Sequence, residues 1–260
     1  MFLPFKINIT EIDKLKDINC KNKIKLEEKE QSVLNFLKTK FDFRTRSFDA
    51  EKIKEGWLPI KDQYNVFISY SHDDKEKALI LVNWFESHGI KCFLDAYYWN
   101  NADKLLKAID DLKCKNPDGK SYNYKKRNYS TSLIHAILSM AIMEAIDKCD
   151  IGIFIESPNS LTVNLDSIHR FSLSPWIYEE LKFMTNIEKR IPNWLNERQI
   201  RMFSEGTRMI VESTAPVAMK FSVPLDQFVE LEASDLNCID GIGSVWLNNF
   251  VKFCMSELKD

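Results

Sequence analysis

YNVFISYSHDDKEKALILVNWFESHGIKCFLD, residues 64–95, changes its period twice. YNVFISYS is a short apolar run rich in β-formers. HDDKEKALILVNWFESHG then sets Ala78, Leu81, Val82 and Phe85 on one helical stripe, which stops at Gly89, a residue suited to the left-handed turn after a helix. IKCFLD returns to a strand. The unit is β-α-β, which brings parallel strands and a right-handed crossover. Ser71 stands where an N-cap would stand, with Asp74 three residues on, the spacing of a capping box in which aspartate replaces the usual glutamate.

The alternation continues toward the C-terminus. NADKLLKAIDDL reads as a short helix, SLIHAILSMAIMEAIDKCD as a long apolar one, IGIFIES as a buried strand and SPWIYEELKFMTNIEKR as a further helix. TRMIVES and VAMKFSV are candidate strands. SVWLNNFVKFCMSEL closes the pattern as an amphipathic helix with Trp246, Phe250, Phe253 and Cys254 facing inward. Such alternation predicts an α/β, doubly wound fold, a mostly parallel sheet with helices on both faces. Ligands of these folds gather at the carboxyl ends of the strands. The loops after Ser69, Asp95 and Glu156 are expected to meet there, the last leading toward Trp176.

Residues 1–62 read differently. KNKIKLEEKEQSVLNFLKTKF places Val33, Leu34, Leu37 and Phe41 at helical spacing, which suggests an N-terminal helical extension packed on something larger. Gly56 and Pro59 in EGWLPIKDQ are the punctuation expected at a boundary. The expected division is an accessory segment at 1–62 and a main domain at 63–260, with insertions near 113–131 and 158–174.

Across 260 residues, 45% hydrophobic content supports a sizeable core, and a formal net charge of -2 gives no general pull toward nucleic acid or anionic membrane. Cys20, Cys92, Cys114, Cys149, Cys238 and Cys254 are scattered, without a C-x-x-C pair or histidines at zinc spacing, so reduced thiols and no metal are expected. His88 and His135, at the end of or within helices, have no clear metal partners in the sequence, and His169 is expected in a loop. The start MFLPFKINITEIDKLKD soon becomes charged and lacks a signal-peptide core, and no later run is read as membrane-spanning. A cytoplasmic protein is expected.

Residues 64–95, followed by AIDKCDIGIFIES and SPWIYEEL in that order, resemble a TIR (Toll/interleukin-1 receptor) domain over roughly residues 64–260. The resemblance implies a flavodoxin-like sheet. It also implies that the glutamate of a W-x-x-x-E pattern cleaves NAD in enzymatic members; here the pattern falls on Trp176 and Glu180, and none of the other five tryptophans has a glutamate four residues later. For an isolated pair at helical spacing, a packed tryptophan and a solvated glutamate are the ordinary reading. The neighbouring motifs turn the reading toward catalysis by Glu180.

The chemistry explains why one carboxylate suffices. The bond between nicotinamide and ribose breaks with a neutral leaving group departing from a cationic pyridinium, so the general acid of ordinary glycoside hydrolysis is not needed. A glutamate beside the ribose holds its hydroxyls and stabilises oxocarbenium charge as it develops. Trp176 is placed to shape the pocket or stack on a ring.

The resemblance also implies that the loop carrying Ser69, Ser71 and His72 lines the nucleotide site, beside a helix N-terminus suited to phosphate oxygens. Capping by Ser71 and Asp74 is the competing, compatible reading. DAYYWNN, Asp95 to Asn101, stands at the family's BB loop, where Asp95, Tyr97, Tyr98 and Trp99 are candidates for contact with a base or a neighbouring subunit. It lacks the proline and glycine of many relatives. In KCKNPDGKSYNYKKRNYST, Pro117, Asp118 and Gly119 mark a turn, and Lys125, Lys126 and Arg127 alternate with tyrosines. A solvated loop is the better reading there than a single-stranded nucleic acid site, so nucleic acid is not expected as a partner.

The function these expectations describe is an NAD+ glycohydrolase or ADP-ribosyl cyclase of bacterial antiphage type, similar to TIR proteins of Thoeris-like systems. NAD+ is its substrate and it needs no cofactor. The resemblance implies self-association through TIR domains, and a downstream effector that senses a nucleotide product. The alternatives are a non-catalytic TIR interaction module and a nucleotide sensor acting through homotypic assembly.

Overall fold

The computed structural model describes residues 3–16, 41–42, 47–57, 64–94, 96–162, 171–172, 174–187 and 221–257. Five strands make the main sheet: β1 (Leu3–Asn8), β2 (Val66–Ser69), β3 (Cys92–Leu94), β4 (Ile151–Glu156) and β5 (Val229–Leu231). The α-helices are α1 (Ala50–Trp57), α2 (Lys75–Ser87), α3 (Ala96–Lys113), α4 (Tyr124–Lys148), α5 (Pro175–Asn186), α6 (Ala233–Asn237) and α7 (Ser244–Glu257). The chain divides into two compact units: a sheet unit of residues 1–24, 63–94 and 145–260, and a helical unit of residues 25–62 and 95–144.

In the sheet unit all five strands run parallel, in the order β3-β2-β4-β1-β5. The α/β, doubly wound expectation holds at this level. The finer order does not follow a flavodoxin-like 2-1-3-4-5, because the first strand in the chain lies between β4 and β5 instead of between β2 and β3. This is also where the accessory reading of residues 1–62 departs from the structure: LPFKIN is an inner strand, paired with β4 from Leu3 to Asn8 and with β5 from Phe5 to Ile7. Pro4 lacks an N–H but lies ahead of the stretch shared with β5, so β1 takes it without losing that ladder.

The register sorts side chains onto two faces. Val66, Ile68, Ile151, Ile153, Phe5 and Ile7 share one face, covered by α2 and α7. Trp246 of α7 stacks on Phe250 and meets Trp84 and Phe85 of α2 edge-on, and Phe250 tilts against Phe5. The stripe read from the sequence, Ala78, Leu81, Val82 and Phe85, is buried, with Trp84 added. Trp246, Phe250 and Cys254 of α7 are buried as expected, while Phe253 is half-buried. At full burial each such apolar side chain contributes about 1.5–3 kcal/mol.

Gly89 ends α2 with φ at +73°, and a Cβ there would lie 2.8 Å from Cγ2 of Ile242. The helix therefore stops where the glycine sits, and the Gly243 N–H donates to the His88 carbonyl at 2.8 Å, tying the end of α2 to the entry of α7.

In the helical unit, α3 begins at Ala96, so Tyr97, Tyr98 and Trp99 form its first turns rather than a loop. With neither proline nor glycine between Ala96 and Lys113, nothing interrupts the helix. The expected insertion at 113–131 shrinks to a short excursion: Lys115 bridges Tyr122, and the Gly119 N–H donates to the Asn116 carbonyl, with Gly119 at φ +64°. From Tyr124 the chain is already α4, so Lys125, Lys126 and Arg127 are helical and exposed. Asp110, buried, accepts from Arg127 Nε at 2.9 Å and from the Ser130 hydroxyl at 2.6 Å, locking α3 to α4. Lys54 of α1 pairs with Glu51 and with Glu144 of α4.

Against the expectation of no membrane-spanning run, α4 is long and apolar enough to cross a membrane by length and composition, although 44% of its most apolar window is buried. The expected helix bearing Val33, Leu34 and Leu37, and the strand TRMIVES, lie outside the described residues. Of VAMKFSV, Phe221–Ser222 pairs antiparallel with Phe171–Ser172, apart from the main sheet.

Candidate functional site

The two strands at the middle of the connectivity set the site. β2 leads through α2 to β3 on one side of it; its neighbour β4 leads through α5 to β5 on the other. Connections that part in opposite directions open a crevice at the carboxyl ends of those strands, the switch point where doubly wound folds bind ligands. Ser69 ends β2 and Glu156 ends β4.

Across the face opposite α7, the register aligns Ser69, Phe154 and Lys6 in one row over three strands. Glu180 of α5 meets this row. Ser174 caps α5, its hydroxyl oxygen accepting from the Ile177 N–H at 3.3 Å, and Pro175 fills the first helical position, where its missing N–H costs nothing. The helix then buries Ile177, Glu180, Leu181 and Met184, the i, i+3, i+4, i+7 face of an amphipathic helix. Glu180 thus occupies a slot that an apolar residue would ordinarily fill. It is 1% exposed, and the Ser69 hydroxyl, wholly buried, donates to its Oε2 at 2.6 Å.

A second buried acid lies at the same strand ends. Asp74 is 6% exposed and accepts at Oδ1 from the Asn159 amide nitrogen at 2.7 Å and at Oδ2 from the Ser157 hydroxyl. Ser157 to Ser160 form a tight turn directly after β4: the Ser157 N–H donates to the Ser160 hydroxyl oxygen at 2.9 Å, and the Ser160 N–H to the Ser157 hydroxyl oxygen at 3.0 Å. Asp74 therefore binds the loop after β2 to the turn after β4. The capping box expected for Ser71 and Asp74 is not formed; neither side chain caps the helix start, because the Asp74 carboxylate is turned toward the turn after β4.

Lys6 supplies the row's cation. Its ammonium lies 3.0 Å from Glu230 and 3.8 Å from Glu156, with its side chain 15% exposed.

Of the site residues expected from the sequence, the structure brings Ser69 and Glu180 together. Trp176, one turn earlier on α5, is half-buried; Ser71 is half-buried and His72 exposed on the loop after β2. Asp95 lies outside the described residues. Tyr97, Tyr98 and Trp99 stand on α3 of the helical unit, with side chains outside the described set. Asp74's inward role, the Ser157–Ser160 turn and Lys6 were not singled out as site residues. The signal for the turn was present in ESPNS, a cluster of turn formers at the end of a buried strand; Lys6 required knowing that β1 joins the sheet.

Among the described residues no group of three or more histidines, cysteines, aspartates or glutamates is gathered as a metal site. No family model, curated protein or solved structure matches this chain.

Proposed function

We propose that this chain is a TIR-type enzyme that cleaves the nicotinamide–ribose bond of NAD+, with Glu180 as the catalytic carboxylate. One observation carries the reading: a glutamate held in an apolar slot of α5, hydrogen-bonded by Ser69, at the carboxyl ends of the strands where the sheet's connections diverge. The resemblance of three ordered motifs supplies the substrate.

In this mechanism the carbon–nitrogen bond breaks and its electron pair leaves with nicotinamide, which departs neutral. The ribose carbon becomes an oxocarbenium cation. Glu180, in surroundings that exclude water, stabilises that charge more strongly than a solvated carboxylate would. Ser69 fixes the carboxylate's orientation in advance. Lys6, two strands away in the same row, offers a cation to the diphosphate. Water adding to the cation gives ADP-ribose and a proton; attack by the adenine of the same molecule gives a cyclic product. Either serves a nucleotide signal or NAD depletion in antiphage defence, with self-association as the means of activation.

Glu180 is covered, so NAD+ reaches it only when that cover opens, and an idle unassembled state follows. The test is to incubate the full chain with NAD+, follow nicotinamide by chromatography and identify the product by mass spectrometry. Glu180→Gln should abolish release while fold and oligomer size stay unchanged; release at the wild-type rate removes Glu180 from the reaction. NAD+ binding without turnover under all conditions favours a sensor, and neither binding nor turnover favours an interaction module.

A further inference from the structure

We infer that Asp74 is a two-position switch that governs entry to the crevice holding Glu180, a regulation that rests on the NAD+ reading of that site. In the closed position, which the structure shows, its carboxylate binds the turn after β4. In the open position it turns back to complete the capping box of α2.

The closed position spans the mouth of the crevice. β2 and β4 are neighbours, with Ser69 in register with Phe154. Asp74 follows Ser69 in the chain and Ser157 follows Phe154, so their contact joins the two loops beyond the row where Ser69 meets Glu180. Asn159 adds a second bond, its amide nitrogen donating to Oδ1 at 2.7 Å. The receiving turn is built without Asp74. Ser157 and Ser160 bond each other in both directions, and the Ser160 hydroxyl donates to the Ile155 carbonyl at 3.1 Å. The carboxylate therefore docks on a fixed partner.

The open position is written into the same residues. Ser71 has the extended backbone of an N-cap, φ -74° and ψ 138°, and Asp74 stands three residues on, where an acid reaches back to the N-cap N–H. Neither side chain makes a cap bond in the closed position. The Ser71 backbone already suits the box, so Asp74 reaches it by turning its side chain.

The two positions oppose each other closely. Closed, the carboxylate gains two side-chain hydrogen bonds but is buried and loses water. Open, it gains a backbone N–H, the positive end of α2 and its hydration. NAD+ entering between the loops needs the space that the closed contact spans, so it binds the open state and shifts the population toward it.

The experiment is hydrogen–deuterium exchange of the full chain without NAD+, read by mass spectrometry, beside nicotinamide release from NAD+, with circular dichroism as the folding control. Asn159→Ala removes one closed-state bond and spares the bonds between Ser157 and Ser160. It should speed exchange at residues 157–160, slow it at residues 71–74, and raise nicotinamide release roughly tenfold, the population shift expected when one state loses a hydrogen bond to a charged group. Ser71→Ala added to it should reverse these changes, because the Ser71 hydroxyl caps the helix only in the open state. Faster exchange at both segments, or unchanged exchange, overturns the switch in favour of a passive tie. The expected exchange with nicotinamide release unaltered removes Asp74 from control of entry. The expected exchange with no nicotinamide from any variant supports the two positions and removes the NAD+ reading.

Discussion

The Ser69 hydroxyl donates to the Glu180 carboxylate across 2.6 Å, and both side chains are buried. The residues are 111 positions apart in the chain, one at the end of β2 and the other on the inward face of α5. A buried anion without hydrogen bonds is far costlier than one that has them. The pair is therefore at once a tie between helix and sheet and a means of aiming a carboxylate.

Ser69→Ala should destabilise the protein by about 1–3 kcal/mol, the range for removing one partner of a buried hydrogen bond. Urea denaturation at neutral pH measures it. If nicotinamide is released, the same variant should lower kcat more than it raises KM, because Ser69 orients the carboxylate. An unchanged unfolding midpoint would mean that the hydrogen bond contributes nothing net.

Asp74 and Ser157 make the second tie, joining the loops after β2 and β4. Asp74→Ala and Ser157→Ala should each destabilise, and the double variant should lose less than the two losses added, with a coupling of about 0.5–3 kcal/mol. A double-mutant cycle in urea reads it. Strict additivity would show that the contact carries no energy of its own.

What was legible in the sequence was local. The strand-helix-strand of residues 64–95, the buried strand β4 and the helices α5 and α7 follow from periodicity and from Gly89 at the end of α2. What was not legible is set by partners distant in the chain. LPFKIN, with a proline and a lysine in six residues, reads poorly as a strand alone and becomes one because β4 and β5 flank it. Asp74 had the spacing of a cap, and only the position of the Ser157 turn shows why it faces elsewhere. Glu180 was found through its spacing from Trp176 within a family resemblance; that it fills an apolar slot depends on which face of α5 meets the sheet. In α4 the buried Ile134, Ile137, Leu138, Ala141 and Ile142 and the exposed Leu133, Met140 and Met143 merge in sequence into one apolar run, since opposite faces cancel in any single direction of periodicity.

Gly89 and Gly119 offer a matched comparison, both at positive φ. A Cβ on Gly119 meets nothing within 4 Å, so Gly119→Ala should cost only the left-handed strain, about 1–2 kcal/mol. A Cβ on Gly89 meets Ile242 at 2.8 Å and the Gly243 nitrogen at 3.3 Å, so Gly89→Ala carries the same strain and also pushes on the Gly243–His88 hydrogen bond. The thermal midpoint of Gly89→Ala should fall further than that of Gly119→Ala. Equal falls would show that the entry to α7 yields freely.

The thiols should differ sharply in reactivity. Burial pushes the Cys92 and Cys149 thiols well above the ordinary cysteine range, so at neutral pH they are protonated as well as hidden. Cys238 is exposed. Brief alkylation of native protein followed by peptide mass spectrometry should label Cys238 before Cys92 or Cys149, and the order should vanish in denaturant. Early labelling of Cys92 would mean that the β3 edge opens.

Asp150, just before β4, gives the pH dependence its sign. Desolvation by burial raises its carboxyl above the ordinary aspartate range, against a hydrogen bond from Asn65 that pulls it down. The folded state therefore holds this proton more tightly than the unfolded state, and between the two values the native chain binds more protons. Its contribution to stability falls as pH rises from the unfolded value through the folded one, and at neutral pH the full penalty for the buried charge is present. Asp150→Asn removes the charge and keeps an acceptor for Asn65. Urea denaturation from pH 4 to pH 7 should show the variant gaining on the wild type as pH rises, with the two converging toward the acid end. Parallel curves across that span would show that Asp150 is as well solvated in the fold as in the unfolded chain.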